Sequence, residues 1–312
     1  MVQRDAVELA FNKLSNWGRW GSGDQIGTLN NIKPEHIVAA ARLVRRGKVF
    51  ALGAPLSWPL QSTPGGLRWN PIHTFMLDGG DVHAGLRRGA VQYTDDAISM
   101  PLQCSTHWDS LCHQFNNGRM YNGAEVKNFG SRGAARNGIE HTASKMVGRG
   151  ILLDVARYKG VACLEDGYAI TNDELDGCAA AQGVSIGQGD FVVLRTGYQE
   201  RYLASGNWQG YSHGAAPGVD FENCYWLKEK DVAAIASDTY AVEVVPDSAL
   251  THDFPWHDVA IPAMGVTIGE MLYVRELAED CALDQIYEFF FCASPLNLPG
   301  ATGSPINPQA IK

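Results

Sequence analysis

The chain has 312 residues, 45% of them hydrophobic and 19% charged, with a formal net charge of −9. That length can bury a large core, in one domain or in one with an elaborated arm, and the composition is that of a globular protein. The acidic balance and the lack of a basic stripe exclude nucleic acid and anionic membrane as expected partners, leaving a small molecule.

The first eight residues carry charge where a signal peptide needs an apolar core, and no apolar run approaches membrane length. Seven scattered cysteines (104, 112, 163, 178, 224, 281 and 292), with no C-x-x-C pair, fit reduced thiols, so a cytoplasmic protein is expected. Residues 7–14 have helical spacing. The glycine- and tryptophan-rich stretch 17–30 has the wrong spacing and no preceding strand for a dinucleotide fingerprint, and reads as a loop that lids or lines a pocket. Trp20 is its candidate substrate contact. Pro34 opens a helix to about residue 45, residues 48–52 read as a strand, and residues 70–77 as another. His73 and His83 read as pocket-lining or structural, with His73 the second candidate substrate contact. Residues 93–100 lead into the stretch that matters most.

That stretch is 101–113, Pro-Leu-Gln-Cys-Ser-Thr-His-Trp-Asp-Ser-Leu-Cys-His. On a helix, His107 and Asp109 would diverge by about 200°. On a strand, Gln103, His107, Asp109 and His113 share one face, while Leu102, Cys104, Thr106 and Trp108 point away. A lone His or Asp is more often structural. Several at even spacing among apolar residues need partners, and a divalent ion such as Mn²⁺ or Zn²⁺ supplies them. His113 falls at the strand end, free to act beside the metal. Trp108 is the third candidate substrate contact.

The run resembles the H-x-G-T-H-x-D-x-P-x-H signature of the metal-dependent cyclase/hydrolase superfamily, which includes bacterial kynurenine formamidases and isatin hydrolases. Ser105, Thr106, His107, Asp109 and His113 carry the resemblance. Gln103 stands for the first His, Ser105 for Gly, and Cys112 or a neighbour for Pro. Gln103 is a weaker ligand than imidazole, which favours one ion over two. The W-G…D-x-x-G-T-L-N text of residues 17–30 is similar to the start of long-form members.

Further along, residues 114–133 read as a turn-rich loop over the site, 139–147 as a helix and 151–155 as a buried strand. Thr171-x-x-Glu174 begins a capped helix to residue 181. Residues 190–196 form a buried strand, 198–223 an aromatic excursion in the substrate wall, 222–234 a helix, 234–239 a return to the sheet and 241–245 a strand. A polar loop with Asp247, His252, Asp253 and His257 precedes 266–270. Residues 272–281 have helical spacing, and 286–292 form the last β run.

Two ligands do not complete a metal site. His257 and Glu270 are the best further donors, with His252 and Asp253 as rivals; the superfamily's His…Glu pair is similar to His257-Asp-Val-Ala-Ile…Gly265-Val-Thr-Ile-Gly-Glu270. Many strands without clean βαβ alternation read as α+β. The resemblance makes this a swivelling β/β/α cyclase-like sandwich: a single domain over residues 48–312 with an N-terminal extension over 1–47. It implies a hydrolase in which a metal-activated water attacks a formamide, cyclic amide, imide or lactone carbonyl, His113 moving the proton, and a homodimer or homotetramer. The competing readings are a thiol hydrolase using Cys104 or Cys112, and a binding protein that has lost its chemistry at Gln103.

Overall fold

The computed structural model describes residues 2–62, 66–86, 89, 91–246 and 254–312. Among these, nine strands form the main sheet: β1 (Val49–Ala51), β2 (His107–Asp109), β3 (Val147–Asp154), β4 (Phe191–Arg195), β5 (Ala234–Ser237), β6 (Thr267–Glu270), β7 (Glu288–Cys292), β8 (Gly303–Pro305) and β9 (Gln309–Ile311). Their order is β1-β9-β7-β3-β4-β5-β6-β2-β8. The four central strands β3 to β6 are parallel. The flanking pairs are antiparallel, including β2 against both β6 and β8. The mixed sheet with its helices is the α+β, cyclase-like architecture expected.

Both faces of the parallel centre are buried, which is why its strands read as continuous apolar runs. Ile151, Leu153, Val192, Leu194, Ile235 and Ile268 point into one core. Their neighbours Leu152, Phe191, Val193, Ala234 and Ala236 point into another, with Trp108, Phe289 and Phe291. The helix Asn172–Ala181 starts as its sequence dictates, with Thr171 and Glu174 each accepting from the other's backbone N–H. The segment before residue 47 is stitched onto the body by its polar groups: Asn16 donates to the Met264 carbonyl, Trp17 to Pro262 and Thr28 to Ala233.

Several elements differ from expectation. Residues 139–147 are not a helix; Ile139–Thr142 is a single 3₁₀ turn, and β3 already begins at Val147. Gly148 and Gly150 belong to the strand. A Cβ at Gly150 would lie 2.2 Å from the Phe289 ring, so only glycine lets β7 pack there. Residues 241–245 form isolated bridges in place of a strand, because the backbone turns at Val242 with φ of 56°. The helix from Pro34 ends at Ala41. In the aromatic excursion, Tyr198–Ser205 is helical, and Tyr198, Trp208 and Tyr211 form a third core in place of an open substrate wall. β7 is not last, since β8 and β9 follow it.

Gly269 links this packing to the chemistry below. It sits opposite Trp108 in the β6–β2 ladder, and a Cβ there would lie 2.4 Å from the Trp108 ring and 2.7 Å from the Ala236 Cβ. Gly269→Ala should therefore cost about 1–3 kcal/mol, the usual penalty of overpacking. Urea unfolding checks this, and an unchanged midpoint would show that the ring moves aside freely.

Candidate metal centre

Strand β2 supplies His107 and Asp109 two residues apart, so both project from one face. In the antiparallel pairing with β6, Glu270 is the residue opposite His107, which puts its carboxylate on that face too. Donor atoms of His107, Asp109 and Glu270 lie within 4.8 Å of one another, and all three residues are buried. His107 Nε2 is 3.3 Å from Asp109 Oδ1 and 3.3 Å from Glu270 Oε2.

The hydrogen bonding shows what this cluster is for. His107 Nδ1 donates to the Ser105 carbonyl at 2.7 Å, which turns Nε2 toward the two carboxylates. Nε2 and Asp109 Oδ1 are both buried and have no hydrogen-bond partner. A neutral Nε2 lone pair facing two carboxylate oxygens is repulsive unless a cation lies between them. Either a proton or a metal ion meets that need, and one nitrogen with two hard oxygens suits a divalent ion. The residues present therefore fit such an ion.

Charges across the cluster are tightly linked. Burial alone would lower the His107 pKa, but Asp109 and Glu270 outweigh it and raise it to about 9. Burial raises the Asp109 carboxyl, yet the neighbouring His113 and His107 rings hold it well below the usual carboxylate range. Glu270 is likewise lowered against its burial by the adjoining His107 and His257 rings.

His257, expected as a ligand, stands outside the group of three. Its Nε2 is 3.4 Å from the other Glu270 oxygen, Oε1. Its Nδ1 is 2.5 Å from Glu243 Oε1, and Glu243 also accepts from the backbone N–H groups of Trp256 and His257. Burial lowers the His257 pKa, but the bonds and charges of Glu243 and Glu270 raise it to about 10. The ring pairs with Glu270 Oε1 on one side and Glu243 on the other. Glu243 was not singled out from the sequence; its signal was a lone carboxylate inside the apolar run Ala-Val-Glu-Val-Val.

His113 lies beside the cluster, with Nε2 3.8 Å from Asp109 Oδ1. Burial and the Arg68 charge lower its pKa, against the opposing pull of Asp109, so the ring is neutral at pH 7. Gln103 does not share a strand with His107, because β2 begins only at residue 107. It contacts His113 Nδ1 at 3.5 Å and donates to Thr302 Oγ1 at 2.9 Å, and Arg68 donates to its carbonyl at 3.0 Å. These contacts make Gln103 a neighbour of His113 rather than of the three donors. Arg68 and Thr302 were also missed, since nothing local in their sequence marks them.

The expected substrate contacts fare unevenly. Trp108 is fully buried and donates to the Ala293 carbonyl; it belongs to the core and cannot meet a substrate, because alternation sends it to the face opposite His107. Trp20 stacks under the Arg19 guanidinium. His73 is exposed and pairs with Asp96 at 2.7 Å. Burial pushes the Cys104 and Cys112 thiols up to about 11, so neither is a thiolate nucleophile at neutral pH. His252 and Asp253 lie outside the described residues.

Metal binding must displace the proton that His107 Nε2 otherwise holds below pH about 9. Affinity should therefore rise with pH up to about 9, by roughly tenfold per unit for one proton released. Calorimetry of Mn²⁺ binding in buffers of different ionisation enthalpy measures that proton. Glu270→Gln, which keeps the shape but removes a charged donor, should weaken Mn²⁺ binding at least tenfold in the same titration; superimposable curves would exclude Glu270 from the site.

A family model described as "Putative cyclase" matches residues 30–244. The crystal structure of a novel cyclase is 39% identical with a TM-score of 0.87, covering 96% of this chain and 100% of that one. Isatin hydrolase A from Ralstonia solanacearum is 20% identical with a TM-score of 0.62, covering 90% and 98%. A "predicted metal-dependent hydrolase" from Bacillus stearothermophilus is 18% identical with a TM-score of 0.52, covering 84% and 97%. The last two show the shared fold. No curated protein matches the chain. The match over most of the sequence, with a 39%-identical cyclase covering nearly the whole chain, places the chain in the "Putative cyclase" family.

Proposed function

We propose that the chain hydrolyses an amide-type carbonyl, that of a cyclic amide, an imide or an aryl formamide, with Mn²⁺ or Zn²⁺ held by His107, Asp109 and Glu270. The observation that carries this reading is the pair of orphaned buried donors, His107 Nε2 and Asp109 Oδ1, next to a neutral imidazole. A bound divalent ion supplies Lewis acidity at the carbonyl and lowers the pKa of water. The chain supplies the rest. His113 moves the proton, its Nε2 lying beside Asp109 and its Nδ1 beside the Gln103 amide nitrogen. Glu243 and His257 fix Glu270 from behind. Burial keeps His113 unprotonated, with the Arg68 charge adding to it.

The amide class is supported by the isatin hydrolases among the structural neighbours, whose name gives isatin as their substrate. The family's description as cyclases favours a second reading, lactone hydrolysis or cyclisation at the same residues. A panel of formamides, imides and lactones, assayed with added Mn²⁺ or Zn²⁺, separates the two; a metal-free protein with full activity would sink both.

His113→Ala should lower kcat by about 10²–10⁴-fold, the usual worth of a positioned acid or base, with metal content unchanged. Loss of metal instead would make His113 a ligand. The pH profile carries the sign of its shift. A base is active when unprotonated, and a lowered pKa keeps it unprotonated further into acid, so the acid limb of kcat/KM should lie below the ordinary histidine value near 6.5. Arg68→Met removes one lowering charge and should move that limb upward.

A further inference from the structure

The metal centre opens to solvent on the His113 side, where that side chain is 25% exposed, against at most 5% for His107, Asp109 and Glu270. Arg68 stands on this open side. Its Nη1 donates to the Gln103 carbonyl at 3.0 Å, while the Gln103 amide reaches Thr302 and His113 Nδ1. The guanidinium therefore lies about one glutamine side chain from the proton-moving ring. Its charge acts on both Asp109 and His113. A guanidinium carries five N–H donors. This one is half-buried, with the Gln103 carbonyl as its hydrogen-bond partner and no carboxylate partner among the described residues. By contrast, Arg19, Arg46, Arg149 and Arg195 each meet a carboxylate at 2.9 Å or less. Asp109 and Glu270 together balance a divalent ion, and Glu243 faces the His257 ring. The Arg68 charge is left over, in a chain whose net charge is −9.

We propose that Arg68 binds a carboxylate carried by the substrate, about one aromatic ring away from the carbonyl that reacts. This rests on the hydrolytic reading above and narrows its substrate class to amides, imides or formamides with a second, anionic group. The reacting carbonyl must lie among His113 and the three metal donors, and a benzene ring is comparable in length to the glutamine side chain that separates Arg68 from His113. The planar fork of arginine matches a carboxylate with two parallel N–H···O bonds, and its unused donors supply them. A latch on the Gln103 carbonyl alone would need one donor and no charge. A half-buried cation without an acidic partner is costly, and an arriving carboxylate offsets that cost. One surplus positive charge is balanced by a monoanion, so a carboxylate fits where a phosphate monoester, with close to two charges at pH 7, would leave one in excess.

Calorimetry with two simple primary amides tests the site without relying on turnover. The Mn²⁺-loaded full chain should bind 4-carbamoylbenzoate about tenfold more tightly than benzamide, the usual worth of a charge-assisted pair. Arg68→Gln, which can still donate to the Gln103 carbonyl but carries no charge, should bring that ratio close to one. Arg68→Lys, which keeps the charge and loses the fork, should retain part of it. Equal affinities in the wild type overturn the proposal, as does a ratio that survives in Arg68→Gln because the metal itself takes the carboxylate. Kinetics give a second measure: KM for 4-formamidobenzoate should lie about tenfold below that for formanilide. Arg68→Gln should abolish this preference, whatever change in the His113 pH limb the two compounds share; a preference unchanged in the variant overturns the proposal. Turnover of neither compound, with the calorimetric ratio intact, would sink the hydrolytic reading and leave the carboxylate site standing.

Discussion

Two carboxylates and an imidazole nitrogen, all buried, face one another across a pair of antiparallel strands. Among the described residues, no neighbouring side chain donates a hydrogen bond to His107 Nε2 or Asp109 Oδ1. Burying such groups unpaired costs several kcal/mol each, so the fold tolerates the arrangement only with a cation between them. Everything around the centre serves that constraint. The β2–β6 register sets Glu270 opposite His107. The Ser105 carbonyl fixes the His107 tautomer, and Gly269 yields the space in which Trp108 backs the strand.

A second layer of charge alternates outward from the same point. Glu243 holds His257, His257 holds the outer oxygen of Glu270, and Glu270 leaves its inner oxygen for the centre. The backbone reaches Glu243 through the positive φ of Val242, a conformation costly for a β-branched residue. Strain there is the cost of delivering a carboxylate to a histidine fourteen residues away. On the other side, Arg68, Gln103 and Thr302 surround His113 without entering the three-donor group. The two sides treat imidazole oppositely: acidic neighbours keep His257 charged, while burial and Arg68 keep His113 neutral. That division separates a ring that orients a carboxylate from a ring free to move a proton.

The sequence by itself determined the parts that depend on local periodicity. Two-residue spacing on a strand brings His107 and Asp109 to one face wherever that strand lies, and the capped helix after Thr171 follows from its own four residues. Glu270 gave only a weak local signal that the resemblance sharpened, since it lies 161 positions beyond Asp109 in the chain. Tertiary structure decided the rest. It made Gln103 a partner of His113, because the strand is three residues long rather than eleven. It sent Trp108 into the core, turned the apolar run 241–245 into a strained bend that presents Glu243, and made residues 147–150 a strand through packing against Phe191 and Phe289. In each case the deciding contact joins residues far apart in sequence, and no local pattern of apolar and polar positions encodes which distant surface a side chain will meet.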